Sequence, residues 1–403
     1  MVKPERRTKG DLLAAAAIAV VVAATASLIW WTSDARATIS RPAATPAANP
    51  TLAKQVPASL RQLWTAASSA TTAPVIVGGT VTTGDGREVD GRDAGTGQTR
   101  WSYSRDTDLC GLSWVYHFAV AVYRDDRGCG QVSTIDGSTG RRGAARSSYA
   151  DPQVRLSSDG TTVLSVGDTR LELWRSDMVR MLAYGETDAR VKPSARGLHS
   201  GCKLYSAAAS SLAVSVLESC GSQPDLRLAL LRPGKEDDEP AQHLVSEPGI
   251  GVSSGARVLT VWQSNTAVYL PAPQPRVDVI DEMGTTVASA LLAKPPSNSA
   301  VSQAGNVVTW WTGDSVLVFD ASSLHLRYTI AAGDKTVPLG PGAMMAGKLL
   351  IPVTDAIGVY DPVTGANERY IPVHRDPSTR AVVPAVSGSR VFEQRGDTVV
   401  ALG

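Results

Sequence analysis

Charge of one sign is missing from this sequence: 39 basic and 38 acidic side chains leave a formal net charge of +1 over 403 residues. Broad electrostatic capture of nucleic acid needs a clear basic excess, so the balance argues against it. Histidine and cysteine are scarce, at five and four residues. No CxxC or HxxxH spacing occurs, which leaves little material for a zinc cluster. Uninterrupted helix-forming sequence is also in short supply, because 36 glycines and 24 prolines are spread along the chain. Both residues break helices, and a helical bundle is excluded. What is present is a balance of 43% apolar and 19% charged residues. Such a chain buries a real core, so wholesale disorder is excluded as well.

The N-terminus sets the expected compartment. Lys3, Arg6, Arg7 and Lys9 form a basic cluster, and residues 12–31 are an unbroken run of apolar or small residues. About twenty residues at ~1.5 Å each match the ~30 Å hydrocarbon layer of a bilayer. Trp30 and Trp31 stand at the far end of the run, where indoles favour the interface. The positive-inside rule places residues 1–11 in the cytoplasm and everything after the run outside it. The rival reading is a cleaved signal peptide, with Ala35-Arg36-Ala37 as a tolerable cleavage site. The run exceeds the usual apolar region of a signal peptide, which favours an uncleaved single-pass anchor in the plasma membrane. No cysteine follows it closely, so a lipoprotein anchor is excluded. Residues 32–58, with Pro42, Pro46, Pro50 and Pro57 among Ala, Thr and Ser, read as a semi-extended linker. It is expected to pack no core and to hold the domain at 59–403 off the membrane.

A repeat organises the rest. It is a short alternating strand ending on Asp or a substitute, often followed by a Thr-Gly turn. Its clearest copies are 315–320 (SVLVFD), 356–361 (AIGVYD), 132–136 (VSTID) and 277–281 (VDVID). The first copy is 88–93; weaker ones end at Arg175 and Arg232, and 398–403 closes the chain. The copies end at 93, 136, 175, 232, 281, 320, 361 and 403, at intervals of 43, 39, 57, 49, 39, 41 and 42. That is the period of a four-stranded propeller blade. The two long intervals imply insertions around the third and fourth blades. In the sixth, 306–312, 315–320 and 326–330 read as the second, third and fourth strands. The repeat's aspartates are expected to be structural, accepting hydrogen bonds from the turn backbone. The last copy supplies a third strand without a fourth, and 60–66 (LRQLWTA) is a lone outer-type strand after the linker. Pairing the two completes eight blades and removes a free sheet edge. If one weak copy is only an insertion, the ring has seven.

Cys110 and Cys129 lie 19 apart, and Cys202 and Cys220 lie 18 apart; each second cysteine precedes a third strand. This repeated placement predicts the disulfides Cys110–Cys129 and Cys202–Cys220, in keeping with an oxidising compartment. Four buried free thiols are the alternative.

The nine residues Asp93-Ala94-Gly95-Thr96-Gly97-Gln98-Thr99-Arg100-Trp101 resemble the repeat of quinoprotein-type β-propellers, D-x-x-T-G-x-x-x-W. In that family the Trp is a wedge between neighbouring blades. Residues 136–140 and 361–365 match only the turn half, with Ala144 and Arg369 at the Trp position. The family's enzymes use pyrroloquinoline quinone and calcium beside a vicinal cysteine pair. No adjacent cysteines and no local calcium-ligand motif occur here, so no cofactor, metal or catalytic residue carries over. The opening MVKPERRTKGDLLAAAAIAVVVAATASLIWWTSDARATISRPAA, with DTDLCGLSWVYHFAVAVYRDDRGCGQVSTIDGSTGRR and VYLPAPQPRVDVIDE, resembles the mycobacterial polar growth factor A family. That resemblance implies envelope biogenesis, binding of the mycolate glycolipid trehalose monomycolate, partnership with the RND-type transporter that exports it, and polar growth. Relatives in corynebacteria imply a role in maturing lipomannan into lipoarabinomannan. It carries no ligand-binding residues.

Catalytic signals are weak. Residues 251–255 (GVSSG) fit the nucleophile-elbow pattern, but the elbow needs a strand-to-helix turn that an all-β repeat does not offer. His117, His199, His243, His325 and His374 fall in different repeats, and 235–239 (KEDDE) reads as a solvated loop. Residues 176–199, with Met178, Met181, Leu182 and Tyr184 beside Arg180, Arg190, Lys192 and Arg196, lie in the longest interval and are a possible ligand or partner insertion. The expectation is an all-β, eight-bladed, quinoprotein-like propeller on one N-terminal transmembrane helix, with a non-catalytic binding role. The alternatives are a pure assembly scaffold, similar to the propeller subunit of outer-membrane protein insertion machines, and a quinone-dependent dehydrogenase.

Overall fold

The computed structural model describes residues 8–33, 36–186, 201–221, 225–237, 239–333 and 336–403. Lys3, Arg6, Arg7, Ala35, Arg190, Lys192, Arg196, His199 and Asp238 lie outside the described residues.

Among the described residues there is one helix, Lys9–Trp31, and it is long and apolar enough to cross a membrane. Thr8 caps it: its hydroxyl accepts from the Asp11 amide, and the Asp11 carboxylate accepts from the Thr8 amide. None of its side chains is buried against the protein. Beyond its end Arg36 lies over the Trp31 ring, 3.6 Å from the centroid.

The remainder is eight antiparallel sheets in a ring, an eight-bladed β-propeller. Blade 1 (75–105) carries Glu88–Asp93 as third and Thr99–Arg105 as outer strand. Blades 2 (109–147), 3 (155–185), 4 (202–251), 5 (257–291), 6 (300–330) and 7 (343–372) follow in chain order, four strands each. Blade 8 takes Val383–Ser387, Arg390–Arg395 and Thr398–Leu402 from the C-terminus and its outer strand, Gln62–Ala67, from the N-terminus. The closing register pairs Gln62 with Leu402 and Ala67 with Thr398. Both weak repeats, ending at Arg175 and Arg232, are true third strands, which decides for eight blades over seven. In blade 6 the expected strands appear as Val307–Trp311, Val316–Asp320 and Leu326–Ile330.

The core is a set of seams between blades. Second and third strands are buried almost throughout, as in Val163 to Val166 or Val316 to Phe319. Strands buried on both faces read as continuous apolar runs, whereas the half-exposed outer strands keep the period-two alternation, as in Thr286–Leu291.

Up-and-down strands place the first-to-second and third-to-fourth turns on one face of the ring. The second-to-third turns and the links between blades lie on the other. Both disulfides are on this second face, at the starts of strands Leu109–Val115 and Cys202–Ala209.

The proline-rich stretch departs from expectation. Thr38–Arg41 adds to the outer edge of blade 1 as a fifth strand, pairing Thr38 with Arg105 and Arg41 with Ser102. Residues 42–61 then cross the turn face. Ala43 and Ala47 donate to Thr139 O and Ser138 O in blade 2, both at 2.9 Å. Arg369 of blade 7 donates to Val56 O at 2.8 Å and Pro57 O at 3.1 Å. The Val56 side chain is buried beside Met345 and Leu350. The segment is therefore a strap and not a free linker, and the folded body starts at Thr38 instead of residue 59. The physical reason is that an extended proline-rich chain makes no internal hydrogen bonds, so its amides and carbonyls remain available to the ring. Six residues, 32–37, separate the helix from the strap, and they span at most ~25 Å.

Candidate functional site

The first strands line the ring's axis and enclose a cavity of about 630 Å³. Its apolar wall comes from Ile76 of blade 1, Leu112 and Trp114 of blade 2, Leu156 of blade 3, Val301 of blade 6, and Val383 and Val386 of blade 8. Interleaved with them are Ser113, Ser157, Ser158, Ser302 and Gln303. Period two explains the mixture: successive side chains of a first strand alternate between seam and axis, and the axis tolerates small polar groups. Trp114 is the largest group open to the cavity, 37% exposed. It sits over Gly160, where a Cβ would stand 3.1 Å from the ring. Asp159 is the one ionisable lining residue, and its Oδ1 holds its own turn, accepting from the amides of Thr161 and Thr162 at 2.8 and 2.7 Å. The cavity thus offers an amphipathic wall with a single carboxylate, Asp159, and no cation among its lining residues for an anionic ligand. The sequence held no motif for it, because its residues come from five separate blades.

In blades 1, 2, 4, 5, 6 and 8 the outer strand presents one side chain to the turn of the next blade. The position lies directly across from the residue two before the strand-end Asp or its equivalent. Trp101 is opposite Gly91, His243 opposite Leu230, Ala288 opposite Val279, Tyr328 opposite Val318, and Trp64 opposite Ala401. Trp101 Nε1 donates to Gly137 O at 2.7 Å, Trp64 Nε1 to Ala94 O at 3.2 Å, and Tyr328 Oη to Pro362 O at 2.9 Å. The turn residue beneath each large group is glycine: a Cβ on Gly97, Gly140 or Gly365 would sit 2.5–2.6 Å from the ring it faces. Ala144 and Ala288 are the small exceptions. There the facing turn residues are Met178 and Leu324, held at φ 62° and 60°, with both side chains buried. The volume has moved from one side of the seam to the other.

The repeat's aspartates hold turns as expected. Asp93 accepts from the amides of Gly95 and Thr96, Asp320 from Ser322 and Ser323, and Asp361 from Val363 and Thr364. Donation from the Thr96 amide lowers the Asp93 carboxyl below its ordinary range, and donation from the Thr364 amide does the same for Asp361. Both predicted disulfides are formed, Cys110–Cys129 and Cys202–Cys220, with Cα separations of 6.0 and 4.1 Å. Among the described residues, Cys202, Glu218 and Cys220 form one cluster of metal-ligand types, but its two sulfurs are joined to each other.

Other sequence candidates are not brought together. His117 stacks on Phe118 in blade 2, His243 is a wedge in blade 4, His325 lies in the blade 6 turn, and His374 follows blade 7. Residues 251–255 end one strand and enter a loop, with no helix after them. The described part of 176–199 is no insertion: Arg180–Gly185 is the outer strand of blade 3, with Leu182 and Tyr184 buried. The acidic run is not wholly solvated either. Arg180 clamps the Asp237 carboxylate at 2.7 and 3.1 Å, and Asp237 O accepts from Ala183 at 2.6 Å.

Glu393, Glu218 and Glu172 are among the buried carboxylates that sequence reasoning missed. Glu393 takes both Arg375 and Arg395, and Glu218 takes Arg227 and the Tyr184 hydroxyl. Glu172 is ringed by Arg146, Arg170 and Arg180. Burial pushes its carboxyl up, yet Arg170 and Arg146 hold it below the ordinary value. A burial signal of this kind is invisible in sequence, where Glu172 reads as an ordinary polar strand residue.

No family model and no curated protein matches the chain. Among solved structures it is similar to the C-terminal WD40 domain of Sif2, with a TM-score of 0.53 and 10% identity, over 86% of this chain and 98% of that one. It is also similar to BamB from Moraxella catarrhalis, with a TM-score of 0.48 and 13% identity, over 85% and 99%. At these identities the likeness concerns the fold alone.

Proposed function

We propose that this chain is a non-catalytic binding propeller, tethered outside the plasma membrane by a single N-terminal helix, that handles an uncharged glycolipid of the cell envelope. The central cavity carries the reading. Its valines, leucines and Trp114 suit an acyl chain, its serines and Gln303 suit sugar hydroxyls, and its single carboxylate, Asp159, can accept from a sugar hydroxyl as well. Two features support the tether: an apolar helix of membrane-spanning length, and a short connection from it to the blade 1 edge. Through the family resemblance the ligand class is trehalose monomycolate and the partner its RND-type transporter, with polar growth as the process served.

The test is mass spectrometry of lipids retained by the full-length protein purified from its native membrane, beside Trp114→Ala and Val301→Glu variants. A neutral glycolipid recovered with the parent and depleted severalfold in both variants supports the reading. Recovery of no glycolipid, alongside a positive control, overturns it and leaves an assembly scaffold, which crosslinking in intact envelope then examines.

A further inference from the structure

The two disulfides stand in opposite electrostatic settings. Cys129 is fully buried, and its Sγ faces the Pro152 carbonyl oxygen at 3.0 Å. A carbonyl oxygen beside a buried sulfur disfavours the thiolate, which is the form that leaves and attacks in disulfide exchange. Cys202 and Cys220 lie directly across from each other in the first two strands of blade 4. Arg227, on the third strand, reaches both sulfurs with one nitrogen: Nη2 is 2.7 Å from Cys220 Sγ and 3.7 Å from Cys202 Sγ. Glu218 fixes that guanidinium. Its carboxylate is fully buried and accepts from Arg227 Nε at 2.8 Å and from the Tyr184 hydroxyl at 2.9 Å. Cys220 is partly exposed, and Gly201 and Gly221, which flank the pair in sequence, are exposed.

We infer that Cys202–Cys220 is a thiol–disulfide exchange site for a dithiol reductant, whereas Cys110–Cys129 is a permanent staple. One thiolate of the dithiol, drawn by the guanidinium, attacks Cys220 Sγ, the more open of the two sulfurs. The S–S bond breaks, and Cys202 leaves as a thiolate 3.7 Å from Arg227 Nη2 before it takes up a proton. The second thiol of the reductant, once deprotonated, attacks the reductant's own sulfur in the mixed disulfide. Cys220 then leaves as a thiolate against the same nitrogen and is protonated in turn. Two electrons and two protons pass to the protein, and the dithiol becomes a disulfide. Each leaving sulfur departs beside one cation, and stabilising a leaving thiolate speeds its departure. Arg227 acts on both steps without bonding covalently, and Glu218 is the residue that positions it.

Graded reduction of the full-length protein in detergent tests this. The protein is equilibrated in mixtures of reduced and oxidised dithiothreitol, quenched in acid and alkylated, and each cysteine is followed by peptide mass spectrometry. Cys202–Cys220 should reach half-reduction at a reduced-to-oxidised ratio about tenfold or more below that of Cys110–Cys129. Arg227→Met should move the Cys202–Cys220 midpoint up by about tenfold and leave Cys110–Cys129 where it was. That variant leaves buried Glu218 without this cation, so Glu218→Gln/Arg227→Met decides the matter if Arg227→Met does not fold. In the reduced protein, either folded variant should also need a pH about one unit higher for half-maximal alkylation of Cys220, a change that looser packing would not produce. Equal midpoints for the two bridges, or earlier reduction of Cys110–Cys129, overturn the site. A Cys202–Cys220 midpoint unmoved in a folded variant overturns the part given to Arg227.

Discussion

The Trp101 indole of blade 1 rests on Gly140 of blade 2, and its Nε1 donates to the neighbouring Gly137 carbonyl at 2.7 Å. The contact joins two blades through one side chain, one hydrogen bond and one missing Cβ. Trp101→Ala should cost about 3–5 kcal/mol, the range for deleting a buried aromatic. Trp101→Phe keeps much of the fill and loses the bond, for about 1 kcal/mol plus a small cavity term. Gly140→Ala should also destabilise strongly, because the position has φ 73° and a Cβ would lie 2.4 Å from the Trp101 Cβ. Chemical denaturation measures all three, and a Gly140→Ala protein as stable as its parent would contradict the account.

Where the wedge is alanine, the turn residue carries the volume. Met178 faces Ala144 and is 3% exposed. Met178→Gly should therefore lose roughly 2–5 kcal/mol of packing, less the relief of placing glycine at positive φ. The double variant Ala144→Trp/Met178→Gly should recover part of that loss, since it recreates the arrangement at Trp101 and Gly140. A double variant less stable than the sum of its singles would refute the volume exchange.

Truncation distinguishes a strap from a linker. A protein beginning at residue 36 keeps the Thr38–Arg41 strand and Val56; one beginning at residue 59 loses both and leaves Arg369 without the carbonyls of Val56 and Pro57. The longer form should melt several degrees higher. Equal melting temperatures would mean that the strap contributes nothing.

Each disulfide closes a short loop, 19 residues for Cys110–Cys129 and 18 for Cys202–Cys220. Each should contribute about 3 kcal/mol on the chain-entropy account. Paired Cys→Ser variants, made one bridge at a time and measured by denaturation, check this; losses below 1 kcal/mol would count against it.

Acid should destabilise the ring late. The carboxyls of Asp93, Asp136, Asp320, Asp361 and Glu172 are all held below their ordinary values. A lowered folded-state value means that the stabilisation is complete above the unfolded carboxylate range and is lost as pH falls below it. Asp90 and Glu247, pushed up by burial, act in the opposite sense and offset part of the loss as they take up protons first. The melting temperature should hold from pH 7 to about 5 and fall below about 4. A fall beginning near neutral pH would contradict these assignments.

The sequence by itself narrowed the blade count to eight or seven and pointed to closure by the strand after the proline-rich stretch, the two disulfides and the turn role of the aspartates; the structure decided for eight, because both weak repeats are third strands. These are local or periodic features: a strand's alternation, an Asp accepting from amides two and three residues on, a repeat of about forty residues. The strap and the central cavity were decided only by tertiary structure, because their residues are far apart in sequence and meet only when the ring closes. The wedge positions lie between these cases. Trp101 was legible from its own repeat, but Trp64 reaches blade 8 from the other end of the chain. The exchange of Ala288 for Leu324 becomes visible only across a seam, where packing fixes the sum of two volumes and leaves their division free.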